Sequence, residues 1–282
     1  MTIATTLEEA CAAMADTPEA ALLAGGTDLM VEVNHGHRSL TDVVTLDRIP
    51  ELDGWERHGD SLRLRAGLTY AAMADFDLAQ LVPGLAQAAR TVGSPQIRNT
   101  GTLGGNLATA SPAGDTIPVL AALDAIVELR SEHNRREVPI ADFITGVKRN
   151  DLRPGELIEA VRVPVADGPQ EFLKVDTRNA MVISVVSLAM VVDRANRQVK
   201  VGLGAAAPVP RRAVDAERFL GDLIDWDGDS LPESETVNQF GKLVMAAASP
   251  IDDHRGSASY RQHAIGVLAR RALLRCFGEV SR

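Results

Sequence analysis

Two stretches decide the reading of this chain: Ala24-Gly25-Gly26-Thr27-Asp28, and Gly101-Thr102-Leu103-Gly104-Gly105-Asn106-Leu107-Ala108-Thr109. The first follows a short apolar strand, Ala20 to Ala24, and precedes a helical stretch, Leu29 to Val33, that closes at Asn34 or Gly36. A glycine pair at a strand end lets the backbone approach an anionic group, and the helix that follows offers unpaired N–H donors. The same letters also suit an ordinary strand-to-helix turn. In the second stretch, adjacent glycines flanked by hydroxyl and amide side chains suit a backbone nest for an anion. Beyond it, Asp115 is an acceptor for sugar hydroxyls. Neither stretch ends in the Gly-Lys-Ser/Thr of a Walker A loop. Two such loops in one chain say more than either alone.

Around these loops the chain divides into three textures. Thr6 followed by Glu9 is a capping-box pattern, and Leu7, Ala10, Cys11 and Met14 recur at helical spacing. With strand Val43 to Leu46 this gives a small βαβ-like unit. From Trp55 onward, Leu62 and Leu64 alternate with Arg63 and Arg65, as on a half-buried strand. Helical stretches follow near Tyr70–Phe76 and Leu85–Thr91, and Gly93 to Asp115 reads as a long irregular segment. Helix Ile117–Leu123 and strands Ile126–Leu129 and Leu157–Val163 complete this region, which ends at Val165-Ala166-Asp167-Gly168-Pro169. The last region opens with three strands, Glu171–Val175, Val182–Val192 and Val199–Leu203. It then turns helical over Ala213–Leu220, Ser234–Ala247 and Ser257–Phe277. Runs of strands followed by runs of helices predict an α+β fold.

Composition narrows the function classes. The chain has 282 residues, 45% of them hydrophobic and 24% charged, enough to bury a core and to exclude whole-chain disorder. Its net charge of −9 disfavours a phosphate backbone, so no nucleic acid is expected as a partner. The longest uncharged apolar stretch, Asn179 to Val192, has 14 residues, short of the roughly 20 that span a bilayer. No Lys or Arg precedes Arg38, so a secretory start is not expected and the cytoplasm is the expected location. The two cysteines, Cys11 and Cys276, are too few for an iron–sulfur cluster or a four-cysteine zinc site. The expectation is no metal site and no catalytic nucleophile of its own.

The resemblance carried by these motifs is specific. Leu22-Leu23-Ala24-Gly25-Gly26-Thr27-Asp28-Leu29, and Ile97-Arg98-Asn99 through Gly104-Gly105-Asn106-Leu107-Ala108, resemble the two flavin-holding loops of the FAD subunits of molybdenum hydroxylases. That family includes xanthine dehydrogenases and carbon monoxide dehydrogenase medium subunits. Ala110-Ser111-Pro112-Ala113-Gly114-Asp115, the Phe172 to Ser184 stretch and Asp253 to Arg261 extend the likeness over essentially the whole chain. It is strongest toward the xanthine-dehydrogenase-like branch, through Lys174 to Ser184.

The resemblance implies a two-subdomain FAD-binding fold, a small α/β unit plus an antiparallel-sheet unit, followed by a C-terminal three-stranded sheet with helices. The implied domains are 1–168, with subdomains of about 1–54 and 55–168, and 169–282. It implies non-covalent FAD, with Ala24, Gly25, Gly26, Thr27 and Asp28 and Thr102, Leu103, Gly104, Gly105 and Asn106 as pyrophosphate donors. Thr109 and Asp115 match cofactor-bonding positions, Ile158 an aliphatic residue packed on the isoalloxazine, and Lys174 a lysine near the flavin ring. Molybdopterin and [2Fe-2S] clusters are then expected only on a large molybdenum subunit and a small iron–sulfur subunit, in a dimer of heterotrimers. Electrons would leave to NAD or another acceptor. The rival readings are a free-standing FAD oxidase or reductase and a flavin-free assembly module.

Two residues depart from the family pattern: Val92, where some relatives have an aromatic residue, and Asp176, where relatives often have Gly. Gly202-Leu203-Gly204-Ala205-Ala206-Ala207 fits a dinucleotide fingerprint by letter, but Pro208 and Pro210 break the helix that fingerprint needs. His35 and His37 are expected to be solvated, and Arg255, Tyr260 and Arg261 to dock the last helix.

Overall fold

The computed structural model describes residues 1–178, 181–226 and 232–278, so Asn179 and Ala180 of the quoted motif lie outside the described residues. Two compact units interleave along the chain. One holds Met1–Met73, Ser94–Ser111 and Ala125–Pro164; the other holds Ala74–Gly93, Pro112–Asp124 and Val165–Arg282.

The first unit combines two sheets. In a three-stranded parallel sheet, Val43–Thr45 lies between Thr2–Ile3 and Ala21–Leu23. Helix Leu7–Asp16 starts where the capping residues predict: Thr6 Oγ1 accepts from the Glu9 N–H at 3.2 Å. The Glu9 carboxylate reaches back one residue further than in the standard box, to the Thr5 N–H at 2.8 Å. Leu7, Ala10, Cys11 and Met14 are the buried face.

The second sheet is antiparallel and five-stranded, in the order Trp55–His58, Ser61–Arg65, Leu157–Pro164, Ile126–Arg130, Arg135–Pro139. Leu62 and Leu64 are buried, while Arg63 lies between Glu128 at 2.6 Å and Glu159 at 3.2 Å. The Leu/Arg alternation thus separates an apolar face from a lattice of ion pairs, as a period of two requires.

The segment from Gly93 to Asp115 is not irregular. It contains helices Pro95–Thr100 and Leu103–Thr109. Their Gly, Asn and Thr content is poor in helix propensity, which hides them in the sequence. Local capping makes them: Ser94 Oγ accepts from the Ile97 N–H and Thr102 Oγ1 from the Gly105 N–H. Ala110, at φ +48°, ends the second helix.

The second unit is built on an antiparallel sheet in the order Gln170–Val175, Val186–Asp193, Gln198–Gly204, Arg211–Arg212. The last strand adds a fourth to the three expected; two residues are too few for alternation to show. Every residue of Val186–Asp193 is buried. Val186, Leu188, Met190 and Val192 face the core formed with helices Val214–Gly221, Ser234–Ala247 and Ala258–Phe277. The other face meets helix Thr116–Ala122.

That helix is seated by glycine. A Cβ on Gly202 would lie 1.9 Å from the Pro118 carbonyl oxygen, and one on Gly204 would lie 2.2 Å from Ser187 Oγ. The fingerprint-like letters are therefore a strand that accepts a helix backbone, and Ala205 turns the chain at φ +51°. Arg261, at the start of the last helix, is buried and donates to the Ala205 carbonyl at 3.2 Å, fixing that turn.

Gly202→Ala is expected to destabilise the chain by about 1–3 kcal/mol or more, the usual cost of overpacking. Gly221→Ala, where no atom lies within 4 Å of the added Cβ, is the control and should not destabilise it. Urea unfolding midpoints of the two variants check this.

Candidate cofactor site

The first turn begins where strand Ala21–Leu23 ends. A Cβ on Gly25 would lie 1.7 Å from the Thr100 carbonyl oxygen and 2.4 Å from its carbon, so glycine allows the two loop backbones to meet. Gly26 serves a different need. It sits at φ +67°, a conformation L side chains rarely adopt. Beyond it the chain turns into helix Leu29–Asn34, with the Met30 N–H bonded to the Gly26 carbonyl at 3.1 Å. Among the described residues, the N–H groups of Gly25, Gly26, Thr27 and Asp28 have no hydrogen-bond acceptor. They form a run of donors at a helix N-terminus, where the dipole favours negative charge.

The second loop is arranged in the opposite way. The Leu103 N–H donates to Leu68 O at 2.9 Å, the Gly104 N–H to Ala66 O at 2.7 Å and the Gly105 N–H to Thr102 Oγ1 at 3.0 Å. These bonds fasten the loop to the end of strand Ser61–Arg65, and a Cβ on Gly104 would lie 2.8 Å from Ala66 Cβ. Gly105 differs, since an added Cβ would meet only Thr102 Oγ1, at 3.0 Å. The donors expected at 103–105 are thus occupied by the protein itself, and the loop contributes shape. Thr109 Oγ1 bonds Asp28 Oδ2 at 3.3 Å and so ties the far end of the second helix to the first turn. The structure brings Ala24 to Asp28 and Thr102 to Thr109 together within one unit.

Ile158 belongs to the same unit. It is buried in strand Leu157–Pro164, beside a register shift between Ile158 and Ala160. A bulge of this kind re-aims a side chain.

Asp115 and Lys174 lie in the second unit and bond to each other. Lys174 Nζ is 2.9 Å from Asp115 Oδ2, 3.2 Å from the Thr91 carbonyl and 3.4 Å from Asp176 Oδ2. Asp115 also accepts from Thr91 Oγ1 at 3.2 Å and from Ser184 Oγ at 2.5 Å. Burial pushes the Asp176 carboxyl above the usual aspartate range; Lys174 opposes that shift and the Asp115 charge adds to it. Sequence reasoning took Asp176, where relatives often have Gly, as a carboxylate placed near the cofactor. Asp176 follows directly on strand Gln170–Val175, two residues beyond Lys174, and the two side chains meet at 3.4 Å.

The remaining candidates have local duties. His35 and His37 are exposed, and among the described residues no group of His, Cys, Asp and Glu is arranged to hold a metal ion. Arg178 donates to the Met181 carbonyl at 2.6 Å. Trp226 packs at the edge of the second core and donates to the Gly221 carbonyl at 3.0 Å. Cys11 and Cys276 are free and buried, and burial raises both thiols, which suppresses the thiolate that metals and electrophiles need.

A family model described as the FAD binding domain in molybdopterin dehydrogenase matches residues 1–166, and one described as the CO dehydrogenase flavoprotein C-terminal domain matches 171–276. The chain belongs to this family: it is a FAD-binding subunit of a molybdenum-hydroxylase-type dehydrogenase. It is 30% identical over 281 residues to the xanthine dehydrogenase FAD-binding subunit of Escherichia coli O157:H7, covering 96% of this chain and 93% of that one. The glyceraldehyde dehydrogenase medium chain of Sulfolobus acidocaldarius is 29% identical, with 95% of each chain covered. Among solved structures, reconstituted CO dehydrogenase from Oligotropha carboxidovorans aligns with a TM-score of 0.89 at 26% identity, over 99% of this chain and 97% of that one. Quinoline 2-oxidoreductase from Pseudomonas putida 86 aligns with a TM-score of 0.88 at 25% identity, over 98% and 95%. Among the described residues, no helix is long and apolar enough to cross a membrane.

The glycines should separate experimentally. Gly25→Ala is expected to lower both the stability of the flavin-free chain and its FAD affinity, because the loops can no longer meet. Gly105→Ala should change that stability by less than about 1 kcal/mol, since alanine favours the helix. It should nonetheless weaken FAD binding about tenfold or more, equivalent to roughly 1.4 kcal/mol. Thermal melts of flavin-free protein beside FAD titrations check both.

Proposed function

We propose that this chain receives electrons from iron–sulfur clusters on a partner chain and passes them through FAD to NAD or another acceptor. The observation that carries this reading is the run of unoccupied N–H donors from Gly25 to Asp28, held against the second loop where Gly25 meets Thr100. The residues fit an extended dinucleotide. The donors of the first turn hold its pyrophosphate, the bare Gly105 backbone leaves it room, and the Thr109–Asp28 bond keeps the far end of the site in register. Bound FAD supplies the capacity to accept and release one or two electrons. The chain's own part is to bind and orient it without a covalent bond, since neither loop contains His or Cys.

Partners are required by the chemistry. Two buried cysteines cannot ligate a cluster that carries electrons in. We assign the molybdenum cofactor to a large subunit and the clusters to a small one, in a cytoplasmic dimer of heterotrimers. The substrate is oxidised on the large subunit; the E. coli relative's name makes a purine the first class to test there.

Acid precipitation of the purified protein should release FAD into the supernatant; flavin that stays in the pellet contradicts non-covalent binding. The FAD-loaded chain alone should reduce an artificial dye with NADH but not with hypoxanthine or xanthine. Turnover of either purine by metal-free chain would overturn the subunit assignment. Dye reduction with neither donor would remove NAD and leave a different acceptor.

A further inference from the structure

A buried carboxylate, Glu159, sits on the bulge in the five-stranded sheet of the first unit. We propose that Glu159 is a positioning residue for the cofactor site. Arginines grip its side chain on one face of the sheet, and this fixes the bulge that turns Ile158 to the other face and seats the second glycine loop.

The strand register shows what the bulge does. Val161 pairs with Leu64 and Val127, and Val163 with Leu62, all buried on the apolar face. Arg162 and Ala160 pair with Arg63 and Arg65 on the charged face. Strict alternation from there would put residue 159 on the apolar face and residue 158 on the charged one. The structure has the reverse. Ile158 pairs with Leu129, in step with Val161 and Val127, while Ala160 pairs with Glu128. Glu159 is therefore the extra residue, with no partner on that neighbouring strand.

Its ion pairs explain why the extra residue falls here. Glu159 Oε1 is 3.2 Å from Arg63 Nη2 and 3.8 Å from Arg130 Nη1, and Oε2 is 3.4 Å from Arg135 Nε. The side chain is only 10% exposed. Moving it to the apolar face would strip it of all three partners and bury an uncompensated charge. The clamp thus opposes the straight strand and holds the bulge at 159.

Two consequences reach the cofactor loops. Ile158, which the resemblance places against the isoalloxazine, is presented on the apolar face. The bulge backbone carries the second: the Glu159 carbonyl accepts from the Ala66 N–H at 3.0 Å, and the Ala66 carbonyl accepts from the Gly104 N–H at 2.7 Å. Gly104 has no slack to absorb a shift of Ala66, since even an added Cβ would lie 2.8 Å from Ala66 Cβ. Glu159 acts through these neighbours. Its effect on bound FAD rests on the function proposed above; its effect on the loop does not.

The test compares Glu159→Leu with Glu159→Gln in the full chain. Leucine suits the apolar face and releases the straight strand, whereas glutamine stays polar and keeps its place against the arginines. In flavin-free protein, Glu159→Leu should speed hydrogen exchange at the Ala66 and Gly104 amides by about tenfold or more, with Val161 on the same strand unchanged. It should also bind FAD about tenfold more weakly or worse and shift the visible flavin absorption band. Glu159→Gln should restore all three. If Glu159→Leu does not fold, Glu159→Ala, which removes the carboxylate without filling the apolar face, is read in the same way. Unchanged exchange at Ala66 and Gly104, or a glutamine variant as impaired as the leucine one, would overturn the proposal. Altered exchange with unchanged FAD affinity and absorption would overturn the cofactor role. If the unmodified chain binds no FAD, the exchange measurement still decides whether Glu159 seats the loop, so the two readings fail separately.

Discussion

The first unit depends on one backbone contact. Gly25 lies against the Thr100 carbonyl so closely that a single methyl group would stand 1.7 Å from its oxygen. Residues about 75 apart in sequence meet here, and no side-chain interaction could bring them closer. The contact has a consequence for chemistry as well as packing. It pins the first turn from one side, and among the described residues the N–H groups of that turn have no hydrogen-bond acceptor. A longer side chain at position 25 would separate the loops before any question of binding arose.

The two glycine loops look alike as letters and do different work. In the second, the protein has taken the donors: Ala66 and Leu68 carbonyls and the Thr102 hydroxyl satisfy the N–H groups from Leu103 to Gly105. That loop is a rigid wall anchored to a sheet, and the first is the donor surface it supports. The proposed anion site, made of backbone rather than of Lys and Arg, suits a chain whose net charge is −9. It also leaves the cationic Lys174 free of phosphate duty, paired within the second unit to Asp115 and Asp176.

Much of this was legible. The Thr6 and Glu9 pattern marked a helix start, the alternation of Leu62 and Leu64 with Arg63 and Arg65 marked a strand with one charged face, and the paired glycines marked two loops that meet in the first unit. What stayed hidden depended on distance or on capping. Helices Pro95–Thr100 and Leu103–Thr109 are specified by single hydroxyls, Ser94 and Thr102, against the propensity of the residues they contain. The role of Gly202 depends on Pro118, and that of Gly25 on Thr100. Helices Pro83–Thr91 and Thr116–Ala122 join the sheet of the second unit although their neighbours in sequence fold into the first. Local pattern carries no information about such interleaving.

Amide hydrogen exchange, resolved by residue, tests the central claim most directly. The flavin-free chain should show the amides of Leu103, Gly104 and Gly105 already protected and those of Gly25 to Asp28 exchanging freely. FAD should then slow exchange at Gly25 to Asp28 and leave 103 to 105 little changed, because only the first turn has donors to give. Protection that appears at 103 to 105 on FAD addition, with Gly25 to Asp28 unaffected, would contradict the account.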